Sequence, residues 1–320
     1  MSRNNFNHDT TTDEVLEGID LTGQRALVTG GSSGLGTETA RALASKGAEV
    51  IIAARNMEKA EEVRAQIAQT TGNDNIHIET LELASLSAIR DFAARFLAKY
   101  DRLNLLINNA GVMACPESKT ADGFEMQFGS NHLGHFYMTC LIMPALLNAA
   151  PARIVSLSSL GHRVSPVVFD DINFENRPYD RWVSYGQAKT ANSLFAIGLE
   201  KRLAGRGIHA YAVHPGVIRT QLARHLSEED LAALQSRIES GDTQQMKSVE
   251  AGAATTIYAA TAPELEGKGG LYLEDCGIAE QIPDDDPTLP YGVRSFALDP
   301  AAAEKLWEVS EQMVGETFAF

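Results

Sequence analysis

Arg25-Ala-Leu-Val-Thr-Gly-Gly-Ser-Ser-Gly-Leu-Gly36 is a short apolar run that ends in glycines and leads into the helix formers of Leu35–Lys46, with Gly47 placed as a stop. A strand, a glycine-rich turn and a helix in that order open a βαβ unit. Glycines let a backbone approach a pyrophosphate closely, and the helix behind them offers free N–H groups and the positive end of its dipole. The spacing Gly30-x3-Gly34-x-Gly36 is not G-x-G-x-x-G, so it is the place of the turn after the first strand that separates a phosphate cradle from a plain tight turn. Gly30, Ser32, Ser33, Gly34, Leu35 and Gly36 are the candidate dinucleotide cradle.

Outward from this turn, Glu49–Ala54 reads as a second buried strand and Met57 to about Gln69 as a charged helix. Leu103–Ile107, Ala152–Leu157 and Ile208–Val213 are further strands, joined by Ile76–Leu81 and Gly270–Leu273. Apolar strands alternating with helical patterns call for a parallel sheet covered on both faces. The expected fold is therefore α/β: a single-domain, Rossmann-type doubly wound parallel sheet. Residues 1–20 are expected as an acidic N-terminal tail, 21–276 as the domain and 277–320 as a C-terminal extension packed on it. Leu160–Ser184, Arg219–Lys247 and Gly277–Pro300 look irregular. The first two flank candidate catalytic elements, where long connections are usually binding loops.

Composition narrows the function. The chain has 320 residues, 44% hydrophobic and 22% charged, which is enough for a substantial core. The net charge is −15, of which residues 1–20 carry −4 and residues 271–320 carry −9, leaving −2 for the body. Such acidic ends read as solubilising, and neither nucleic acid nor a membrane surface is an expected partner. Three widely spaced cysteines (Cys115, Cys140, Cys276) imply no disulfide framework or zinc site, and the start of the chain has no basic segment followed by an apolar one. A cytoplasmic protein is expected.

At the end of the second strand stand Ala54 and Arg55. There is no carboxylate to bond a ribose 2′-hydroxyl, and there is a guanidinium to pair with a 2′-phosphate. NADP(H) is expected in preference to NAD(H). Tyr185-Gly-Gln-Ala-Lys189 opens a helical pattern, in which i and i+4 share one face. An ammonium about 4 Å from a phenol, at an effective dielectric of about 20, contributes about 4 kcal/mol toward the phenolate, which would bring the tyrosine near working pH. Ser158-Ser159 follows a strand, where a hydroxyl can hold a substrate oxygen or simply cap a turn.

The series Thr29–Gly36, Asn108-Asn-Ala-Gly111, Asn131, Ser159, Tyr185-x3-Lys189 and His214-Pro-Gly216 resembles, in kind and order, the short-chain dehydrogenase/reductase superfamily from about residue 21 to 275. Ser130-Asn-His-Leu-Gly-His-Phe136 and Tyr272-Leu-Glu-Asp-Cys276 look most like the branch of retinol dehydrogenases, WW-domain oxidoreductases and protochlorophyllide reductases, without their membrane anchor or WW module. The resemblance implies that Tyr185 exchanges a proton with the substrate oxygen, Ser159 bonds that oxygen and Asn131 positions a water in a proton relay. It implies that Lys189 binds the nicotinamide ribose and lowers the tyrosine pKa. It also implies that Asn108, Ala110 and Gly111 line the adenosine side, and that Pro215, Gly216, Ile218 and Thr220 hold the nicotinamide end. Glu82-Leu83 stands where the family usually has Asp-Leu beside adenine, which puts that contact in doubt. The 26-residue step from Ser159 to Tyr185 is about twice that of classical members, and Gly161–Trp182 is expected to shape the substrate entrance.

Several residues are set aside. His132 and His135 have helical i, i+3 spacing but no further ligand nearby, so no metal is expected. His162 reads as a solvated loop histidine, Cys115 carries no assigned chemistry, and Asp284-Asp-Asp286 reads as a solvated turn. The expected activity is NADP(H)-dependent interconversion of a small hydrophobic alcohol and its carbonyl, in a homodimer; the resemblance implies pairing through the helices that bear Asn131 and Tyr185, unless the acidic C-terminal extension covers that surface. The rival readings are reduction of a carbon–carbon double bond and a non-catalytic redox sensor.

Overall fold

Strand β1 (Arg25–Thr29) buries Leu27 on one side and Ala26 and Val28 on the other. A strand apolar on both faces has to be covered on both, and the rest of the chain does this. The computed structural model describes residues 6–241, 243–286 and 289–320. The further strands of the sheet are β2 (Glu49–Ala54), β3 (Ile76–Thr80), β4 (Leu105–Asn108), β5 (Ala152–Leu157), β6 (Ile208–Val213), β7 (Leu271–Glu274) and β8 (Gly277–Ile278). Their spatial order is 3-2-1-4-5-6-7-8; β1 to β7 run parallel and β8 turns back antiparallel on β7. A Rossmann-type α/β fold was the expectation and is what the chain adopts. A small ladder of β9 (Gln281–Ile282) and β10 (Val293–Arg294) lies apart.

The helices are α1 (Thr12–Val15), α2 (Gly34–Ser45), α3 (Met57–Thr71), α4 (Leu86–Lys99), α5 (Met126–Phe128), α6 (Gly134–Leu141), α7 (Met143–Ala149), α8 (Arg181–Leu203), α9 (Glu228–Ser240), α10 (Val249–Thr261) and α11 (Pro300–Val314). Leu43 of α2, Ile67 of α3 and Ile257 of α10 pack with Val28 and Ile52 on one face. Phe92 of α4, Phe136 of α6, Leu199 of α8 and Trp307 of α11 pack with Leu27 and Ile51 on the other. Among the described residues no helix is long and apolar enough to cross a membrane.

Both chain ends differ from solvated tails. Residues 1–5 lie outside the described part, but α1 is capped by a Thr11/Glu14 box and buries Thr12, Val15 and Leu16. The Thr12 hydroxyl donates to the Glu38 carboxylate, and Arg41 bridges Glu38 (2.7 Å) and Asp13 (2.8 Å). The acidic residues there solvate one side of a segment whose other side belongs to the core. At the far end, α11 lies on α6 and α8: the His132 Nε2 and Ser310 hydroxyl are 2.9 Å apart, and Arg202 pairs with Glu304 at 2.8 Å. From Ser184 to Leu199, α8 is buried at every position except Ile197, which is half-buried. The face expected to pair two copies is thus occupied by the chain itself. The segment Arg219–Lys247, expected as irregular, contains α9, held by a box in which the Ser227 hydroxyl accepts from the Asp230 N–H and Asp230 accepts in return.

Trp307 ties α11 down. Its ring meets Phe136 edge-on at 5.0 Å and lies 6.0 Å from Phe195, with the Arg202 guanidinium 4.0 Å over it. Trp307→Ala is expected to destabilise the protein by about 3–5 kcal/mol, read as a lower urea midpoint at unchanged slope.

Candidate active site

The strand order reverses between β1 and β4, and the carboxyl ends of the strands there frame a cleft of about 1040 Å³. Its nucleotide side begins at Gly30, whose φ of +66° and whose place 2.9 Å from the Ala110 Cα, measured from where a Cβ would stand, admit no other residue. Ser32, Ser33, Gly34 and Leu35 continue this wall, with Arg55, Glu82, Leu83, Ala110, Gly111, Pro215, Gly216, Ile218 and Thr220. Arg55 is well exposed, with its Nη1 3.7 Å from a Glu82 oxygen. A hollow of this size, with a backbone-lined turn at the N-terminus of α2, fits a dinucleotide.

Ser159, Tyr185 and Lys189 share the other half of the cleft. Asp180 starts α8 by accepting from the Trp182 and Val183 N–H groups, which sets Tyr185 and Lys189 one turn apart on the inner side. The Ser159 hydroxyl accepts from the Gly161 N–H at 3.0 Å. A Cβ on Gly161 would stand 2.7 Å from the Tyr185 ring, so the phenol lies flat against a residue with no side chain. The Lys189 ammonium lies 5.5 Å from the centre of that ring and donates to the Leu157 carbonyl at 2.8 Å.

Burial acts on the phenol in the opposite direction to the lysine. Burial pushes Tyr185 up to about 12, with the Ser159 hydroxyl pulling the other way. Burial likewise pulls Lys189 down to about 8. Both side chains are nearly inaccessible to water, so loss of hydration disfavours each charged form. The ammonium sits beside the ring and is engaged by a backbone carbonyl.

Asn108 and Gly36 lie elsewhere than expected. Asn131 is fully buried in a π-helical turn (129–133) between α5 and α6, beside the site: a Cβ on Gly111 would stand 3.1 Å from its amide oxygen and 3.9 Å from the Lys189 ammonium. Its amide oxygen accepts from the Val112 N–H (2.8 Å) and its Nδ2 donates to the Val112 carbonyl (2.9 Å), clamping the Gly111 loop. Asn108 does not line the nucleotide side: it is buried behind β4, with Nδ2 toward Thr139 (3.2 Å) and Ser156 (3.4 Å). The neighbouring Asn109 takes the wall position and donates to the Thr29 carbonyl at 2.7 Å. Gly36 sits behind the turn, where a Cβ would stand 2.4 Å from the Gly30 carbonyl oxygen.

The histidines are also more structural than they read. His162 is fully buried: its Nδ1 lies 2.7 Å from the Ser159 carbonyl, to which it donates, and its Nε2 accepts from the Arg294 N–H at 3.2 Å. The His214 Nδ1 accepts from the Leu160 N–H (3.2 Å), which positions the turn after Ser159. The His135 Nε2 bonds the Thr29 hydroxyl and its Nδ1 the Asn131 carbonyl, each at 2.9 Å. Asp284, read as part of a solvated turn, caps Ser295 by accepting from its N–H at 2.8 Å. Reading by motif missed Arg294, which lines the cleft; Arg163 and Trp182 of the insertion Gly161–Trp182 line it too, as do Leu231 and Leu234 of the partly amphipathic stretch 219–247.

The sequence model of the family described as short chain dehydrogenase matches residues 24–231. A probable oxidoreductase of Streptomyces lividans is 44% identical over 91% of this chain and 97% of its own. Human retinol dehydrogenase 12 is 42% identical over 93% of this chain and 88% of its own. Among solved structures, the Pseudomonas aeruginosa RhlG/NADP active-site complex superposes with a TM-score of 0.63 at 27% identity, covering 79% of this chain and 95% of that one.

Burial holds His132 and His162 down at about 3 and His135 and His214 at about 4. All four stay neutral in the folded chain where an unfolded chain, titrating near 6.5, takes up protons. Between about pH 6.5 and 4 the unfolded state therefore binds more protons, and stability falls with acidification by up to about 1.4 kcal/mol per pH unit for each histidine. Urea midpoints measured from pH 7.5 to 4.5 are expected to drop steeply below 6.5, and His132→Gln is expected to flatten the curve.

Proposed function

This chain belongs to the short-chain dehydrogenase family, and on that footing we propose that it interconverts an alcohol and its ketone or aldehyde with NADP(H), Tyr185 exchanging the proton at the substrate oxygen. The observation that carries this reading is the meeting of the Tyr185 phenol and the Ser159 hydroxyl on the wall of a cleft whose other half is a glycine-lined turn. The nicotinamide, when bound, supplies or takes up the hydride. Every other function falls to this chain. Ser159 donates to the substrate oxygen, and Tyr185 protonates it as the carbonyl carbon gains hydride, or takes the proton back in oxidation. Lys189, pulled down to about 8 yet still mostly cationic at neutral pH, holds a positive charge beside the phenol. Asn131 keeps the Gly111 loop in place through Val112.

A phenol held up to about 12 is protonated at neutral pH, so the resting side chain is ready to act as an acid. The relatives and solved structures supply further support: one is named a retinol dehydrogenase, another was solved with NADP. Arg55 supports NADP(H) over NAD(H), because an exposed guanidinium beside the second strand can pair with a 2′-phosphate while Glu82 stays 3.7 Å away. Free thiols at Cys115, Cys140 and Cys276 fit a reducing cytoplasm. With α11 on α6 and α8, the homodimer we propose pairs through another face.

Tyr185→Phe is expected to lower kcat for carbonyl reduction by at least about 10²-fold while NADPH binding, followed by fluorescence, stays within a factor of about three. Turnover at the wild-type rate would remove the phenol from the mechanism. Arg55→Ala is expected to raise KM for NADPH about tenfold, the loss of one charge-assisted pair, and to leave KM for NADH unchanged. An undiminished preference for NADPH would remove Arg55 from cofactor choice.

A further inference from the structure

The cleft wall is cationic on a protein whose net charge is −15. Lys189 and six arginines line it (Arg55, Arg163, Arg219, Arg224, Arg237 and Arg294), against the carboxylates of Glu82 and Asp230. Arg55 and Lys189 lie with the cofactor groove, and Asp230 is engaged by Arg181 at 2.6 Å. Of the five other arginines, Arg163 and Arg294 stand beside Ser159. Arg163 is four residues beyond Ser159, and the Arg294 N–H donates to His162, whose ring bonds the Ser159 carbonyl.

These two side chains are short of hydrogen-bond partners. Arg294 is 5% exposed, and among the described residues its Nε and Nη1 have no hydrogen-bond partner, nor has the Arg163 Nε. Their remaining bonds go to backbone carbonyls: Arg163 donates to Leu289 and to Gly292 (2.8 Å), and Arg294 to Asp286. Among the described residues no carboxylate lies within 4.0 Å of either guanidinium. Glu274, the acid whose field reaches Arg163, accepts from the Gly292 N–H at 2.7 Å and is held above its usual range by burial. A buried guanidinium with unpaired donors, as at Arg294, is destabilising until an acceptor arrives, and the half-buried Arg163 adds a second charge beside it. A guanidinium pair also presents the planar, multi-donor geometry that carboxylates match. The same end of the cleft carries Val164, Leu289, Leu231 and Leu234, which suit a hydrocarbon chain.

We propose that Arg163 and Arg294 select a substrate bearing a carboxylate, so that the alcohol or carbonyl turned over belongs to an aliphatic acid. This rests on the alcohol–carbonyl reading, and its test needs no turnover. Calorimetry on the full chain with octanoate and with octanamide compares the two head groups on one apolar tail. Octanoate is expected to bind at least tenfold more tightly, with the advantage weakening as salt is raised from 50 to 500 mM. Arg294→Gln and Arg163→Gln are expected to remove that advantage and leave octanamide unchanged, and Arg294→Lys to retain part of it. Equal affinity for the two ligands in the wild type overturns the proposal. So does a loss shared equally by both ligands in the variants, because arginines that only strap residues 286–292 to the site would weaken both alike. If Arg294→Gln does not fold, the wild-type comparison and Arg294→Lys decide. If octanoate wins while no carbonyl compound is reduced, the head-group site stands and the catalytic reading fails.

Discussion

At the mouth of the sheet the ends of β1 and β4 come within less than a side chain's width of one another, and the site is built on that approach. Thr29 is the joint: its hydroxyl accepts from the Asn109 and Ala110 N–H groups at 2.9 and 3.0 Å, while Asn109 returns a bond to the Thr29 carbonyl. Gly30 can then pass over Ala110 only because it has no Cβ. From the same hydroxyl the chain of contacts runs through His135 to the Asn131 carbonyl, and from the Asn131 amide to Val112. The glycine turn, the Gly111 loop and the π-helical turn are therefore one rigid assembly. A single extra residue of helix at 129–133 is the kind of local irregularity that persists where surrounding contacts over-determine it.

The second half of the site is organised by dryness. α8 is buried nearly all round because α11 lies on its outer side, and that same burial governs the phenol and the ammonium it carries. In water an ammonium nearby would draw a phenol toward ionisation. Here both groups lose hydration, and the loss outweighs a cation displaced toward the Leu157 carbonyl. A neutral phenol and a weakened ammonium are a proton donor with a positive field behind it. An arrangement of that sort acts when negative charge develops on a nearby oxygen, and does little before then.

Much of this was legible beforehand, and the exceptions have a common cause. β2, β5 and β6 begin and end where their apolar runs do, because fully buried strands announce themselves by composition. Ser159, Tyr185 and Lys189, to which we assign the chemistry, line one cleft. What failed was orientation. Asn108 and Asn109 are adjacent and identical in type, yet a strand alternates its faces, so only one can look into the cleft. Asn131 is the middle residue of a π-turn that no periodicity reveals. The Tyr185 environment depends on Ser159 and Gly161, which the insertion places more than twenty residues away. Ser227-Glu-Glu-Asp230, by contrast, is a capping signal present in the sequence, and with it the helix over the cleft could have been read.

Charge shows the same interplay of local and distant. The body of the chain is nearly neutral in sum, which concealed a strong separation: acids on the outer sides of α1, α3 and α11, cations on the wall of the cleft. Acidic side chains on the outer surface make no demand on the site. Cations drawn inward create a local field of the opposite sign, and low-dielectric walls focus it, so an anion approaching the acidic surface feels attraction only at the mouth. The histidines nearby reinforce this without adding charge. His162 is neutral, and one ring holds the Ser159 carbonyl on one side and the Arg294 backbone on the other. The serine that bonds the reacting oxygen and the arginine we assign to the head group are thereby held by a single imidazole, which couples where a substrate is gripped to where it is transformed.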